Sequence, residues 1–406
     1  MLKYEWKKIW KNRLTQLAVA GCCLFLLFCV YSSIRQITAY NQNGQLLSGM
    51  SAVAVMKETQ PEITLNQGTV DRLVGQYLAY TADPASSSNN ESYQNLSEEL
   101  YRTYYLPNRD LLVFLTSVYK ESDSSMKEAL EEHSGNDFLQ ARQDRDIAAI
   151  ASLESRGLLT AKEADYWEAQ SEHFAEPTVG YHKGWSMILD TLSWMILIMM
   201  IVCIGTAPVF AGEYQSKCDS LLLCMKYGKN KLVLAKVLAV WLYATVVYWG
   251  ITLLSSAIYL GLLGTEGRNL PIQIKYPAVP VGYDLTMGEA VLVVLVMGYV
   301  LTLGVMGLTL FLSAVFPHAY GVIICSFLFL VVPLFLSTES GGYGWSRFLS
   351  LLPEKIADFS FSSYTAYSLG NGVLNWLEAA ILVNGIAAVG FSAAGYAVFR
   401  NHKVNK

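Results

Sequence analysis

Six apolar segments of membrane-spanning length divide this sequence. Each is close to the ~20 residues that an α-helix needs to cross the hydrocarbon core of a bilayer. The predicted spans 1 to 6 are residues 14–34, 187–210, 237–263, 290–316, 319–337 and 374–399. We expect Pro208 and Pro333 to kink spans 2 and 5, because proline cannot donate the helical hydrogen bond. The pattern predicts an all-α membrane protein with six transmembrane helices.

Basic residues are concentrated on one side of the predicted membrane. Three segments, namely residues 1–13, 211–236 and 400–406, together hold 13 of the chain's 29 lysines and arginines. The same segments hold only three acids. Residues 36–185, in contrast, hold 22 acids and 11 bases. Lysine and arginine near span ends remain in the cytoplasm. We therefore expect both termini and the central segment to be cytoplasmic, and residues 35–186 and 338–373 to be extracellular.

The extracellular domain, residues 35–186, shows mainly helical patterns. Thr69–Tyr80 reads as a helix, and Thr81–Ser92 is a polar, turn-rich loop. Ser125 and Thr160 each precede a glutamate by three residues, which matches a capping box. Gly157 is expected to end the helix that begins near Asp137. The domain contains no cysteine, so disulfides do not hold it together.

Residues 1–13 form a predicted amphipathic helix before span 1. Trp6 and Trp10 share one side at helical spacing, whereas Lys3, Lys7 and Lys11 share another. A basic face opposite tryptophans is typical of a helix in the headgroup layer. We therefore expect an interfacial helix on the cytoplasmic surface.

The central segment, residues 211–236, is too polar for lipid but has an amphipathic pattern. It contains the acids Glu213 and Asp219 and the lysines Lys217, Lys226, Lys229, Lys231 and Lys236. Leu221, Leu222 and Met225 give it an apolar side, which predicts a short surface helix. The segment is either a basic loop that fixes topology or a helix that docks on a cytoplasmic partner.

The sequence lacks the motifs of several enzyme classes. It has neither a phosphate-binding P-loop nor a His-Glu-x-x-His or Gly-x-Ser-x-Gly motif. Asp190, Glu289 and Glu378 border the predicted spans near their outer ends. They could form an ion relay, but functional charges in membranes usually lie deeper, so we favour a structural role.

The order of these features resembles that of ABC-2 type transporter permeases. In that family, the loop between spans 2 and 3 carries an aromatic residue, an acid three residues later, a leucine pair, basic residues and a lysine at the start of span 3. Here these are Phe210, Glu213, Leu221, Leu222, Lys229, Lys231 and Lys236. The opening helix and the long insertion after span 1 are similar to variants from Gram-positive bacteria.

The resemblance implies a multi-pass protein of the bacterial cell membrane, without catalytic, cofactor-binding or metal-binding residues of its own. A second permease copy, identical or related, and cytoplasmic ABC ATPase subunits would be its partners, with membrane lipids around it and no nucleic acid. ATP and Mg²⁺ would bind to the ATPase. Glu213 would meet a basic group or a helix N-terminus there, Leu221 and Leu222 would pack at the interface, and Tyr214 would belong to the same segment. The substrate would be exported and amphipathic, such as a peptide antibiotic or a lipid-like compound.

Three other functions remain open at this stage. An ion-coupled secondary transporter would need the acids at the span ends to matter for transport. A polytopic membrane enzyme is disfavoured by the missing site chemistry. An ABC-type mechanical or sensory complex would use ATP hydrolysis to move the large extracellular domain.

Overall fold

The computed structural model describes residues 1–41, 43–88, 90–120, 124–171, 176–191, 194–337, 342–370 and 372–402. Within these residues, five helical segments are long and apolar enough to cross a membrane. They are α2 (Arg13–Arg35), α11 with α12 (Met195–Thr206 and Pro208–Gln215), a π turn with α14 (Gly228–Leu232 and Val233–Leu263), α15 (Met287–Val315) and α19 (Trp376–Arg400). A shorter apolar segment joins α16 (Ala319–Val331) to a 3₁₀ turn (Val332–Phe335).

Proline sets the breaks in two of these apolar segments. Pro208 starts α12 directly after α11 ends, and Pro333 lies in the 3₁₀ turn, so both predicted interruptions are present. Span 2 differs from the predicted 187–210. A separate helix, α10 (Lys183–Thr191), comes first, and the apolar helix runs from Met195 to Gln215. The last turns of this helix therefore extend into the predicted loop.

The insertion domain, residues 36–185, is mainly helical and is closed by a small β-ribbon. Its helices are α3 (Met50–Thr59), α4 (Gln67–Ala82), α5 (Glu98–Leu100), α6 (Arg109–Tyr119), α7 (Met126–Glu132), α8 (Phe138–Ser155) and α9 (Ala161–Ser171). The antiparallel ribbons are β1 (Thr38–Tyr40) with β2 (Leu46–Ser48), and β3 (Ile63–Thr64) with β4 (Thr178–Val179). The second ribbon joins the two ends of the domain.

Most of the local structures predicted for the insertion domain, a helix, a capping box and a helix end, are present. The helix over Thr69–Tyr80 is α4, and the Ser125 capping box is complete, with both reciprocal hydrogen bonds. Gly157 follows α8 with a φ of 69°, a conformation that favours glycine at a helix end. At Thr160, the Glu163 carboxylate accepts from the Thr160 amide at 3.0 Å, but the threonine hydroxyl contacts Ser368 instead.

One hydrophobic core connects the insertion domain to the bundle. It includes Ile150 and Trp167 of the domain together with Met199 of α11 and Leu301 of α15. The loop before α19 contains α17 (Gly342–Ser350), α18 (Pro353–Ala357) and the ribbon β5–β6 (Ala366–Leu369 and Gly372–Asn375), and it joins the same core through α18 and the ribbon. The half of the domain nearer the bundle is therefore continuous with it.

Small residues let α15 and α19 pack closely. A Cβ atom on Gly307 would lie 2.8 Å from the carbonyl oxygen of Ala388, and one on Gly304 would lie 2.9 Å from Asn384 Oδ1. Close backbone approach through small residues is a common basis of helix association in membranes. This packing fixes the end of α19 beside α12, where the candidate site begins.

Candidate functional site

A buried ion cluster joins three helices at the end of the bundle where the chain starts. The ammonium of Lys236 in α14 donates to Glu213 Oε1 of α12 at 2.6 Å and to Glu5 Oε2 of α1 (Leu2–Lys11) at 2.8 Å. Lys8 Nζ of α1 also donates to Glu213 Oε1, at 2.5 Å. We refer to Glu5, Lys8, Glu213 and Lys236 as the ion cluster.

Burial within the ion cluster is uneven. The side chain of Lys236 is 1% exposed and that of Glu213 is 5% exposed, whereas that of Lys8 is 60% exposed. Two acids and two bases balance in charge, which offsets the large cost of removing charges from water. Because the pairs link α1, α12 and α14, displacement of one helix must either move the others or separate buried charges.

The tryptophans of α1 face the bundle. Ile9 is buried, and Trp6 and Trp10 are half-buried against the core that contains Tyr243 of α14. The Trp10 and Tyr243 rings meet edge to face at 5.5 Å between centroids. The helix predicted for residues 1–13 is present as α1, and its tryptophans pack partly on the bundle; a position in the headgroup layer stays a prediction.

Aromatic residues hold α12 on the side that faces α15 and α19. The Phe210 ring stacks on Phe399 of α19 at 4.4 Å, and the Tyr214 hydroxyl donates to the Ala314 carbonyl at 3.0 Å. Ser313 Oγ accepts from the amides of Phe210 and Ala211 at 3.0 and 3.1 Å, where Pro208 has broken the helical ladder. Phe210 and Tyr214 therefore hold α12 against α15 and α19.

An exposed patch follows α12. The short helix α13 (Asp219–Cys224) is anchored by Leu223, which is 5% exposed. Leu221 is 72% exposed, while Leu222 is half-buried. We define the coupling surface as the exposed residues Leu221, Met225, Lys226, Tyr227, Lys229 and Lys231. It combines apolar side chains with three lysines, and the Lys231 ammonium lies 4.6 Å from the centre of the Tyr227 ring.

Gly228 determines the shape of the coupling surface. It begins the π turn Gly228–Leu232, which leads into α14. A Cβ atom at Gly228 would lie 1.8 Å from the carbonyl oxygen of Leu222, so the turn cannot approach α13 with a larger residue. The loop is thus a defined structure of two packed turns.

The sequence as a whole matches a known family. The profile described as ABC-2 family transporter protein matches residues 1–404. The chain belongs to this family. It is therefore a multi-pass membrane protein and a permease component of an ABC transporter. No curated protein and no solved structure matches the chain.

The acids at the span ends of the permease have structural roles. Glu289 and Glu378 occupy the third positions of α15 and α19, and each completes a capping box, with Thr286 and Asn375 respectively. Asp190 forms an ion pair with Lys275. The structural interpretation of Glu289 and Glu378 is therefore confirmed.

A second buried ion pair ties the insertion domain of the permease to the loop before α19. Glu163 of α9 is fully buried and pairs with Arg347 of α17 at 3.2 Å. Its carboxylate also accepts from the Tyr343 hydroxyl at 2.6 Å and the Ser368 amide at 3.1 Å. Burial raises the pKa of Glu163, but the hydrogen bonds from the Tyr343 hydroxyl and the Thr160 amide, together with the charge and hydrogen bond of Arg347, lower that pKa more, so the pKa lies below its usual value.

Sequence patterns missed several of these partners. Glu5 and Lys8 enter the prediction only through the charge count that sets the orientation, although their spacing places both on one side of α1. The sequence prediction chose Leu221 and Leu222 for the interface and did not include Leu223, the next residue, which anchors α13. Nothing in the local sequence pointed to the Glu163–Arg347 pair, whose members are far apart in the chain.

Proposed function

We propose that the permease exports an amphipathic substrate, such as a peptide antibiotic or a lipid-like compound. A separate cytoplasmic ATPase binds ATP and Mg²⁺ and supplies the energy. Two permease copies, identical or related, form the pathway between them. The observation that carries the proposal is the coupling surface, an exposed apolar and basic patch that continues directly into helices joined by buried charges.

The proposed topology has six spans in a bacterial cell membrane. The segment that corresponds to predicted span 5, Ala319–Phe335, is short for a span, but it is apolar and packs between α11, α12 and α15. Both termini and residues 211–236 lie in the cytoplasm, and residues 35–186 and 338–373 lie outside. The support is the excess of basic residues at one end of the bundle and of acids in the insertion domain.

Force from the ATPase enters at the coupling surface and reaches the spans through the ion cluster. Leu221 and Met225 contact the ATPase, with Leu222 at the edge and Lys229 and Lys231 facing acidic groups. This assignment changes the role of Glu213. Its basic partners are Lys8 and Lys236 of the same chain, so it transmits movement within the permease and makes no direct contact with the ATPase.

Two single variants of the coupling surface test this proposal. Leu221→Asp and Met225→Asp place a charge on side chains that are 72% and 52% exposed, so the permease should still fold and insert. Burying a leucine at an interface is worth about 1.5–3 kcal/mol. Each variant should therefore weaken co-purification of the ATPase by at least about tenfold, and substrate export should fall with it.

The control is Lys229→Ala, which removes one exposed charge from the same surface and should cost the complex less, about 0–1 kcal/mol. The substrate readout is ATP-driven uptake into inverted membrane vesicles that contain the assembled complex, since their cytoplasmic face is on the outside. Normal ATPase binding and export by both Leu221→Asp and Met225→Asp would mean that residues 211–236 serve topology alone.

A mechanical function is the second candidate, and the Glu163–Arg347 pair favours it. Because this pair and the shared core tie the insertion domain to the bundle, ATP-driven movement of the spans would also move the domain. Labels on α4 and α15 would then change their separation during ATP hydrolysis while no substrate crosses the membrane. Substrate export coupled to hydrolysis supports the transport proposal instead.

A further inference from the structure

A large cleft lies at the root of the insertion domain, where spans 1 and 2 leave the bundle. Its volume is about 460 Å³, and its walls come from the end of α2, β1, the end of α3 and the starts of α6 and α10. Sites for small molecules usually measure about 300–1,000 Å³. The cleft is therefore large enough for the polar headgroup of an amphiphile.

Charges of both signs line this cleft. Arg109 and Lys183 contribute positive groups, and Asp110 and Asp190 contribute negative groups. Asp190 is already paired with Lys275, which leaves its surroundings close to neutral. A cleft with both signs of charge complements a headgroup that carries both, better than it complements a simple anion or cation.

An apolar groove lies on the side of α2 that also borders the cleft, nearer to the start of this helix. It has a volume of about 160 Å³ between α2 and α14, and Cys23, Val30, Ile251 and Leu254 contribute to its walls. Along α14 it extends from residue 246 to residue 258, which corresponds to about 18 Å at 1.5 Å per residue. Half of a ~30 Å hydrocarbon core is ~15 Å, so the groove matches one acyl chain of one leaflet in length.

The groove and the cleft border the same face of α2. Val30 lines the groove, and Ser33 lines the cleft three residues later. Residues three apart lie on the same face of a helix, about one turn from each other. The apolar groove thus leads toward the charged cleft at the outer end of α2.

We propose that the cleft and the groove together bind one zwitterionic amphiphile. Its headgroup lies among Arg109, Asp110 and Lys183, and one acyl chain lies between α2 and α14. As a statement about transported substrate, the inference rests on the proposed export function. A resident membrane lipid with the same chemistry would occupy the site in the same way.

Lipid binding to the purified full-length permease tests the site without ATPase or nucleotide. Native mass spectrometry would compare phosphatidylethanolamine, which is zwitterionic, with anionic phosphatidylglycerol and neutral diacylglycerol. We expect phosphatidylethanolamine to bind at least about tenfold more tightly than either. Lys183→Gln and Asp110→Asn should each weaken that binding by about tenfold, as expected when a charged hydrogen-bonding partner is lost.

Gly250→Leu tests the groove separately. A Cβ atom at Gly250 has no neighbour within 4 Å, so the leucine should fill the groove without disturbing the fold. It should weaken phosphatidylethanolamine binding to a similar extent. The matched control, Arg72→Gln, removes an exposed charge from α4 and should leave binding unchanged.

The assembled complex distinguishes the two sources of ligand. Stimulation of ATP hydrolysis by phosphatidylethanolamine would identify a transported amphiphile, and a constant rate with retained binding would identify a resident lipid; both agree with the site. Equal binding of all three lipids, or unchanged binding in Lys183→Gln, Asp110→Asn and Gly250→Leu, would overturn it. Such a failure would not affect the export proposal, because the ATPase takes no part in the binding assay.

Discussion

Replacing Lys236 by methionine leaves the carboxylates of Glu213 and Glu5 without the buried ammonium that now contacts both. The lysine side chain is 1% exposed, and its two ion pairs are 2.6 and 2.8 Å long. Removing one member of a buried pair costs about 3–5 kcal/mol. Glu213 keeps Lys8 as a partner, so we expect about 3 kcal/mol, the lower end of that range.

Lys8→Met is the matched control, because Lys8 donates to the same Glu213 oxygen. Its side chain is 60% exposed, and exposed pairs contribute about 0–1 kcal/mol. The double variant Glu213→Met with Lys236→Met removes both buried charges and should recover part of the loss, since apolar replacement of a buried pair is often neutral.

The free energy of unfolding can be measured in mixed micelles of mild detergent and dodecyl sulfate, followed by tryptophan fluorescence. The ion cluster predicts a clearly larger loss for Lys236→Met than for Lys8→Met. Equal losses for the two variants would refute the idea that buried charges hold α1, α12 and α14 together.

Three further predictions concern the coupling surface, the insertion domain and the topology. Gly228→Ala should displace α13 through the contact with the Leu222 carbonyl and reduce ATPase co-purification, while thermal unfolding changes little; normal co-purification would contradict this. The folded pKa of Glu163 lies below 4.5, so its stabilising contribution is present above 4.5 and is lost as the pH falls through the folded pKa. The protection of α9 from hydrogen exchange, corrected for the intrinsic rate at each pH, should therefore fall on acidification, and Glu163→Gln should remove that dependence; an unchanged pH profile in this variant would argue against the pair with Arg347. In a cysteine-free background, Ser87→Cys should react with an impermeant thiol reagent on intact cells, and labelling that requires permeabilised cells would reverse the orientation.

Hydrophobic patterns predicted the helices because lipid requires long apolar segments with internal hydrogen bonds. The start of span 2 is harder to define from the same pattern. The apolar residues Ile188 and Leu189 of α10 continue the pattern of α11, and they are buried against the bundle. Composition cannot separate an apolar face that contacts protein from one that contacts lipid.

Residue spacing identified Glu213 but not its partners. The contact with Lys8 spans 205 positions, and the contact between Lys236 and Glu5 spans 231. No local pattern encodes such separations, since they follow from how α1 folds back onto α14. The exposed residues of the coupling surface were easier to predict, because an amphipathic pattern within a few residues identifies them.

The native Cys224 offers the most direct test of ATPase docking at the coupling surface. It is exposed at the end of α13, directly before Met225. In a variant that keeps Cys224 and replaces the other six cysteines, we would measure its rate of alkylation in inverted membrane vesicles, with and without the ATPase. We predict rapid labelling of the permease alone and strong protection in the complex. Equal rates in an active, assembled complex would contradict docking at this surface.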